Sequence, residues 1–223
     1  MPIDIEELKR VDYFAGCTGE EYNWLKDFMT QETVEKGGIF LFEGEWSDFV
    51  YFLISGVVKV YKTSADGKEQ ILHLVHEGES LNDVSTFDGG PNAASMLAMN
   101  PSVFYKMKKS DLKAILRNHP RIVMNVLRAL ASRVRRDSSL VGDLSFTQVT
   151  GRLAKVLLKL ASEEAEFWPR LTQQDMAAMI GTTREVVNRS LRVMEEKGAI
   201  RLERHGVTVT NPVILEEMVR TTS

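Results

Sequence analysis

The chain has 223 residues, 43% of them hydrophobic and 26% charged, with a formal net charge of −3, a length that accommodates two domains each able to bury its own core. A single cysteine, Cys17, excludes an intramolecular disulfide and any all-cysteine metal site within one chain. No run approaches the roughly 18 apolar residues of a membrane span, and the start MPIDIEELKR lacks the apolar stretch of a secretory signal, so a reducing, cytoplasmic setting is expected.

In chain order, EEYNWLKDFM places Tyr22, Leu25 and Phe28 or Met29 at helical spacing and predicts a covering helix. From Glu32 to Lys106, glycines recur at Gly37-Gly38, Gly44, Gly56, Asp66-Gly67, Gly78 and Gly89-Gly90, with runs such as FVYFLISG, VVKVYK and QILHLV between them. Short strands at that spacing predict a barrel or sandwich, and Asp66-Gly67 marks a hairpin. Pro120 to about Leu144 reads as one long helix, with proline in the first turn where its missing N–H costs nothing. Val123, Val126, Leu127, Leu130, Val134, Leu140, Val141 and Leu144 form a stripe close to a heptad seam, the pattern of a helix that packs against its twin. Arg133 and Asp137 lie near that seam, where a buried charge needs a partner or a ligand; a surface Asp137 pair with Arg133 or Arg136 is the plain alternative.

The segment LTQQDMAAMIGTTREVVNRSLRVMEEKGAI, residues 171–200, holds two short helical patterns joined at Gly181. Thr172 and Asp175 are spaced as a capping box for the first, whose apolar stripe is Met176, Met179 and Ile180. Thr182 or Thr183 can cap the second, where Val187, Leu191 and Met194 must face inward. The opposite face then carries Arg184, Glu185, Asn188 and Arg189 near a helix N-terminus. Arginine can bond bidentately to guanine, glutamate can accept from cytosine N4, and asparagine can reach adenine or a phosphate, which is the chemistry of a DNA-reading helix-turn-helix. A Thr182-x-x-Glu185 capping box and a solvated arginine face are the plain readings of the same residues. The following GAIRLERHGVTVTN alternates Ile200, Leu202, Val207 and Val209 around His205-Gly206 and predicts a hairpin wing.

A net negative charge argues against nucleic acid until its distribution is considered. Residues 1–146 carry 17 Lys+Arg against 21 Asp+Glu, whereas residues 147–223 carry 11 against 10. Only the second half suits DNA, and Arg184, Arg189 and Arg192 concentrate positive potential where phosphates would lie.

The order of these parts resembles the Crp/Fnr superfamily of bacterial transcription regulators over nearly the whole chain. The carrying stretches are GEWSDFVYFLISGVVKVYKTSADGKEQILHLVHEGES, NHPRIVMNVLRALASRVRRDSSLVGDLSFTQVTGRLA and TTREVVNR. The resemblance implies an α+β chain with a cyclic-nucleotide-binding-like β-barrel (jelly roll), a long dimerisation helix and a C-terminal winged helix-turn-helix. The corresponding divisions are 1–118, 119–146 with a hinge at Leu144-Ser145-Phe146, and 147–223. It further implies a homodimer on a palindrome of TGTGA-like half-sites, with Arg184 and Arg189 reading guanines and Glu185 a cytosine. Thr172, Thr182, Thr183 and Asn188 complete the expected DNA surface, and Val123, Val126, Leu127, Leu130, Val134 and Val141 the expected dimer interface. RNA polymerase is an expected partner, with EEAEFWPR at 163–170 where relatives offer a contact, although a solvated loop fits equally.

The expected effector pocket comprises Leu81, Asn82, Asp83, Ala93, Ala94, Arg133, Asp137 and Ser138. Cyclic-AMP-binding members carry G-E-L and then R-S in the cassette; here Asn82-Asp83-Val84 and Ala93-Ala94 occupy those positions. The phosphate's cation is missing, and a buried phosphate without one costs several kcal/mol. Cyclic AMP is therefore disfavoured, and DGGPNAAS resembles instead the branch answering to nitrogen oxides, low oxygen or small organic molecules. One cysteine cannot hold an iron–sulfur cluster. His73 and His76 leave a haem or metal sensor open as an alternative, although three residues apart on a strand they face opposite ways. A cupin-like metalloenzyme would need converging histidines and carboxylates, and His73, His76, His119 and His205 are scattered, so no enzymatic activity is expected.

Overall fold

The structure, a computed structural model, describes residues 3–161, 170–203 and 206–221. Strands β1 (Met29–Val34), β2 (Ile39–Leu41), β3 (Phe49–Ser55), β4 (Val58–Thr63), β5 (Glu69–Val75), β6 (Ser80–Leu81), β7 (Ser95–Ala98) and β8 (Ser102–Lys108) form two four-stranded antiparallel sheets, ordered β1-β8-β3-β6 and β2-β7-β4-β5. The turn after β4 is closed at its Asp66-Gly67 tip, where Gly67 N–H donates to the Ser64 carbonyl and Ser64 N–H to that of Lys68. Two such sheets are the barrel or sandwich expected from the glycine spacing, of the jelly-roll kind that the resemblance implies.

Helices α1 (Ile5–Leu8), α2 (Gly19–Leu25), α3 (Asp83–Phe87) and α4 (Lys109–Asn118) accompany the sheets. The covering helix is shorter than its periodicity suggests: α2 stops at Leu25, a 3-10 turn spans Lys26–Phe28, and Met29 already belongs to β1. Apolar spacing cannot separate a helix end from the strand that follows, because both bury the same side. Leu8, Val11, Tyr13, Phe14, Leu25, Phe52, Met107 and Leu112 make a closed core beneath these helices, with the rings of Tyr13, Phe14 and Phe52 meeting edge to face at 5.0–6.5 Å. Cys17 packs half-buried against this core; burial, and then the Glu21 carboxylate, push its thiol pKa up.

The long helix α5 runs Pro120–Phe146. Its first turns belong to the core: Ile122 and Val126 are buried, and the Asn125 amide donates to the carbonyls of Tyr13 (3.1 Å) and Ala15 (2.9 Å). Leu144, Ser145 and Phe146, expected as a hinge, are helical, since no glycine or proline there ends the helix, and the break between α5 and α6 falls at Thr147 and Gln148. By contacts the chain divides into two units, Met1–Lys62 with His73–Arg135, and Thr63–Leu72 with Arg136–Ser223.

The second unit contains α6 (Val149–Leu160), α7 (Gln173–Ile180), α8 (Arg184–Glu196), the hairpin β9 (Ile200–Glu203) and β10 (Gly206–Val209), and α9 (Pro212–Thr221). Leu153, Leu157, Met176, Ile180, Val187, Leu191, Met194, Ile200 and Leu215 form its core. The β9–β10 ladder pairs Leu202 with Val207 and Ile200 with Val209, the alternation read from the sequence. His205, and the suggested polymerase-contact segment apart from the exposed Arg170, lie outside the described residues.

Candidate nucleic-acid interface and effector cassette

The helix-turn-helix is built by its caps. Thr172 accepts from the Asp175 N–H at 3.1 Å while the Asp175 carboxylate accepts from the Thr172 N–H at 3.0 Å, so the capping box opens α7 as spaced. Gly181, at φ +65°, ends it in a left-handed conformation that glycine adopts without penalty. Thr183 is the N-cap residue of α8, although its side chain makes no capping bond to the helix backbone, and Thr182 is half-buried in the turn.

Along α8, Val187, Leu191 and Met194 have no exposed surface, which leaves Arg184, Glu185, Arg189 and Arg192 in solvent and Asn188 half-buried at the edge. Glu185 is held below the usual carboxylate range first by its own backbone N–H and then by the Thr183 hydroxyl. It is therefore an ionised acceptor at neutral pH; with Thr183 as N-cap it stands at the second position of α8, and the Thr182-x-x-Glu185 capping box expected as the plain reading is not formed. In the wing, Arg201 pairs with Glu203 at 3.1 Å. The face combines two arginines and an acceptor in the first two turns of a helix, which suits base edges.

The cassette forms where β6 passes into α3. Asn82 is the one described non-glycine residue with positive φ, at +67°; its amide donates to the Phe49 carbonyl at 3.0 Å, and its own carbonyl accepts from the hydroxyls of Thr86 (2.8 Å) and Ser85 (3.2 Å). The next residue, Asp83, has a side chain with no exposed surface. Its Oδ2 accepts from the Ser80 hydroxyl at 3.0 Å and from Nη1 of Arg133, whose Nη2 donates to the Ser80 carbonyl at 2.7 Å. Arg133 therefore answers a carboxylate fifty positions earlier in the chain. The pair retains bonding capacity, since Asp83 Oδ1 and Arg133 Nε are buried without partners. Tyr13 stands beside this cluster, and burial, followed by the Asp83 charge, pushes its phenol well above the ordinary range.

Of the expected pocket residues, Leu81, Asn82, Asp83 and Ala94 are buried in the first unit with Arg133 in direct contact, while Ala93 is exposed. Asp137 and Ser138 are exposed positions of α5 in the second unit. Ser80 and Tyr13 were not singled out from sequence. Ser80 stands three residues before Asp83, a Ser-x-x-Asp spacing that could have flagged it; Tyr13 offers no such signal. Asn92 in DGGPN binds the cassette's neighbouring loops, donating from its amide to the Phe42 carbonyl (3.1 Å) and from its backbone to that of Glu45 (2.8 Å). Among the described residues no group of three or more His, Cys, Asp or Glu is placed to hold a metal ion.

Of the expected dimer-interface residues, Val126 faces the barrel core with only 4% of its surface exposed, Val123 and Leu130 are half-buried, and Leu127, Val134 and Val141 are 53%, 65% and 64% exposed. These three fall at strict seven-residue spacing.

Comparison with known proteins places both halves. Residues 31–119 match a cyclic nucleotide-binding domain and residues 151–218 a Crp-like helix-turn-helix domain. The chain is 31% identical over 222 residues to a CRP-like cAMP-activated global transcriptional regulator of Mycobacterium tuberculosis, covering 96% of this chain and 99% of that protein. It is 28% identical over 211 residues to the cyclic AMP receptor protein of Thermus thermophilus, covering 95% and 98%. The solved structure of FixK2 from Bradyrhizobium japonicum covers 85% of this chain and 96% of its own with a TM-score of 0.73 at 19% identity, a likeness of fold.

Removing one member of the Asp83–Arg133 pair leaves the other buried and uncompensated. Asp83→Ala is expected to destabilise the barrel by about 3–5 kcal/mol, and adding Arg133→Met to restore most of that loss, as measured by urea unfolding of the single and double variants.

Proposed function

Because the chain belongs to the Crp/Fnr superfamily of bacterial transcription regulators, we propose that it acts as a cytoplasmic homodimer that binds a palindrome of TGTGA-like half-sites through Arg184, Glu185 and Arg189 and responds to a small polar effector other than cyclic AMP at the Asp83 cassette. The observation that carries the DNA reading is the free face of α8, where these side chains stand in solvent opposite the buried Val187 and Leu191. Thr172, Thr182, Thr183 and Asn188 flank that face and would position the phosphate backbone.

The dimer reading rests on α5. With Ile122 and Val126 committed to the barrel core, the exposed Leu127, Val134 and Val141 remain as a heptad seam that a second copy would cover. A dimer also supplies the two reading helices that a palindrome requires. RNA polymerase is the further partner expected of such a regulator.

The effector reading rests on charge. Two relatives are named for cyclic AMP, yet this chain has Ala93 and Ala94 where the cyclic phosphate would need a cation. Arg133, the cation bonded to the cassette, is already neutralised by Asp83. A cyclic phosphate would have to take Arg133 from a buried carboxylate, and each ion left alone costs several kcal/mol. A polar, uncharged group meets no such penalty and can use the vacant Asp83 Oδ1 as an acceptor.

These readings have separate tests. Arg189→Ala is expected to cost about 1–3 kcal/mol on the cognate half-site and little on random DNA, measured by fluorescence anisotropy; equal losses on both would reduce Arg189 to a phosphate contact. Isothermal calorimetry with millimolar cyclic AMP is expected to show no saturable heat, and binding that raises DNA affinity would overturn the effector reading. Val134→Glu is expected to turn a dimer into a monomer by size-exclusion with light scattering while leaving the circular dichroism spectrum unchanged.

A further inference from the structure

One guanidinium stands at the ends of two helices. Arg152, in the first turn of α6, donates from Nε to the carbonyl of Ile180, the last residue of α7, at 2.8 Å. Its Nη1 donates to the Thr147 carbonyl at 2.6 Å and reaches those of Asp143 and Leu144 at 3.4 Å, in the last turn of α5. Helix C-termini leave their final carbonyls without intrahelical partners and carry partial negative charge, so a cation there is favourable. Here a single planar fork serves two such ends, a geometry an ammonium group cannot reproduce. Lys155 adds a second cation at the same place by pairing with Asp143.

A second, apolar contact joins the same two elements. A β-carbon placed on Gly181 would come within 2.8 Å of Cδ2 of Leu144, so the Leu144 side chain lies directly over the turn between α7 and α8. Ile180 and Gly181 are the residues from which α8 starts its course, and whatever holds them sets the direction of Arg184, Glu185 and Arg189. No role in base or phosphate contact is needed for Arg152: its guanidinium is occupied by backbone carbonyls within the second unit.

We propose that Arg152, seconded by Leu144, is a positioning residue that staples the α7–α8 turn to the end of α5, so that the aim of the reading helix is fixed by the long helix. This rests on the reading of α8 as the base-contacting helix. Without the staple, the α6–α9 core still forms, but the turn gains freedom and the two reading helices of a dimer lose their mutual register.

The test uses full-length Arg152→Gln, Arg152→Lys and Leu144→Ala, with hydrogen exchange of residues 143–147 and 177–182 and anisotropy on the cognate duplex over a salt series. The expected result is faster exchange in both segments for all three variants and a loss of roughly tenfold or more in cognate affinity. The salt slope should stay unchanged, because no phosphate contact is lost, and lysine should not rescue. Wild-type exchange in both segments, full rescue by lysine, or a salt slope reduced by about one, the signature of a phosphate contact, would overturn the proposal. If Arg152→Gln fails to fold, Leu144→Ala decides by the same exchange readout, since it loosens the turn without removing a charge. Equal affinity losses for Arg189→Ala on cognate and random duplexes would overturn the base-reading interpretation of α8, while the exchange data, which need no DNA, would still decide the staple.

Discussion

A carboxylate with no exposed surface must have a cation, and among the described residues Asp83 obtains one from α5. That requirement organises the first unit. Ser80 and Asp83 bring β6 and α3 to Arg133, while Ile122, Asn125 and Val126, earlier in the same helix, bind the core around Tyr13 and Phe52. The helix is held at two levels by different physics, apolar burial and amide bonding near its start and an ion pair three turns later. Any displacement of α3 relative to α5 would therefore have to break or carry with it a buried ion pair.

What the sequence made legible was local. The capping box at Thr172 and Asp175, the glycine at 181, the inward triplet Val187, Leu191 and Met194, and the wing alternation all depend on residues within a few positions of one another, and the structure reproduces them. Features resting on distant partners were not legible. The α5 stripe was read as one seam, but a helix can present apolar residues to two neighbours, and periodicity does not say which neighbour covers which residue. Val126 went to the barrel core and Val134 to the surface. Arg133 offered a partner four residues on, at Asp137, a local pairing worth a few tenths of a kcal/mol; its bond to Asp83 answers a far larger desolvation cost. Arg152 drew no notice because its partner at Ile180 is 28 positions away.

The cassette departs from the cyclic-AMP pattern in its side chains, each with a structural consequence within this chain. Position 82, glycine in the cyclic-AMP pattern, is held here at positive φ by asparagine, a residue that tolerates the left-handed region and adds an anchor to the Phe49 carbonyl. Aspartate in place of glutamate at 83 shortens the side chain by one methylene and keeps the charge within reach of Arg133. The cassette thus holds a left-handed residue at 82 while its electrostatics are closed on themselves. What has changed is the chemistry available to a guest, with the charge balance already met from within the chain.

The half-buried thiol of Cys17 bears on how such a protein would meet an oxidant. Burial and Glu21 push its pKa up, so at neutral pH the thiolate fraction is smaller than that of a free cysteine, and peroxides and alkylating agents react with the thiolate. Oxidative damage would fall instead on the methionines, of which there are ten. Met176, Met194 and Met218 lie in the core that supports the reading helix, and a sulfoxide there places a polar group where none can be hydrated. Met29 and Met107 are buried in the core of the first unit in the same way, so prolonged oxidation would loosen the cores of both units rather than act through the one cysteine.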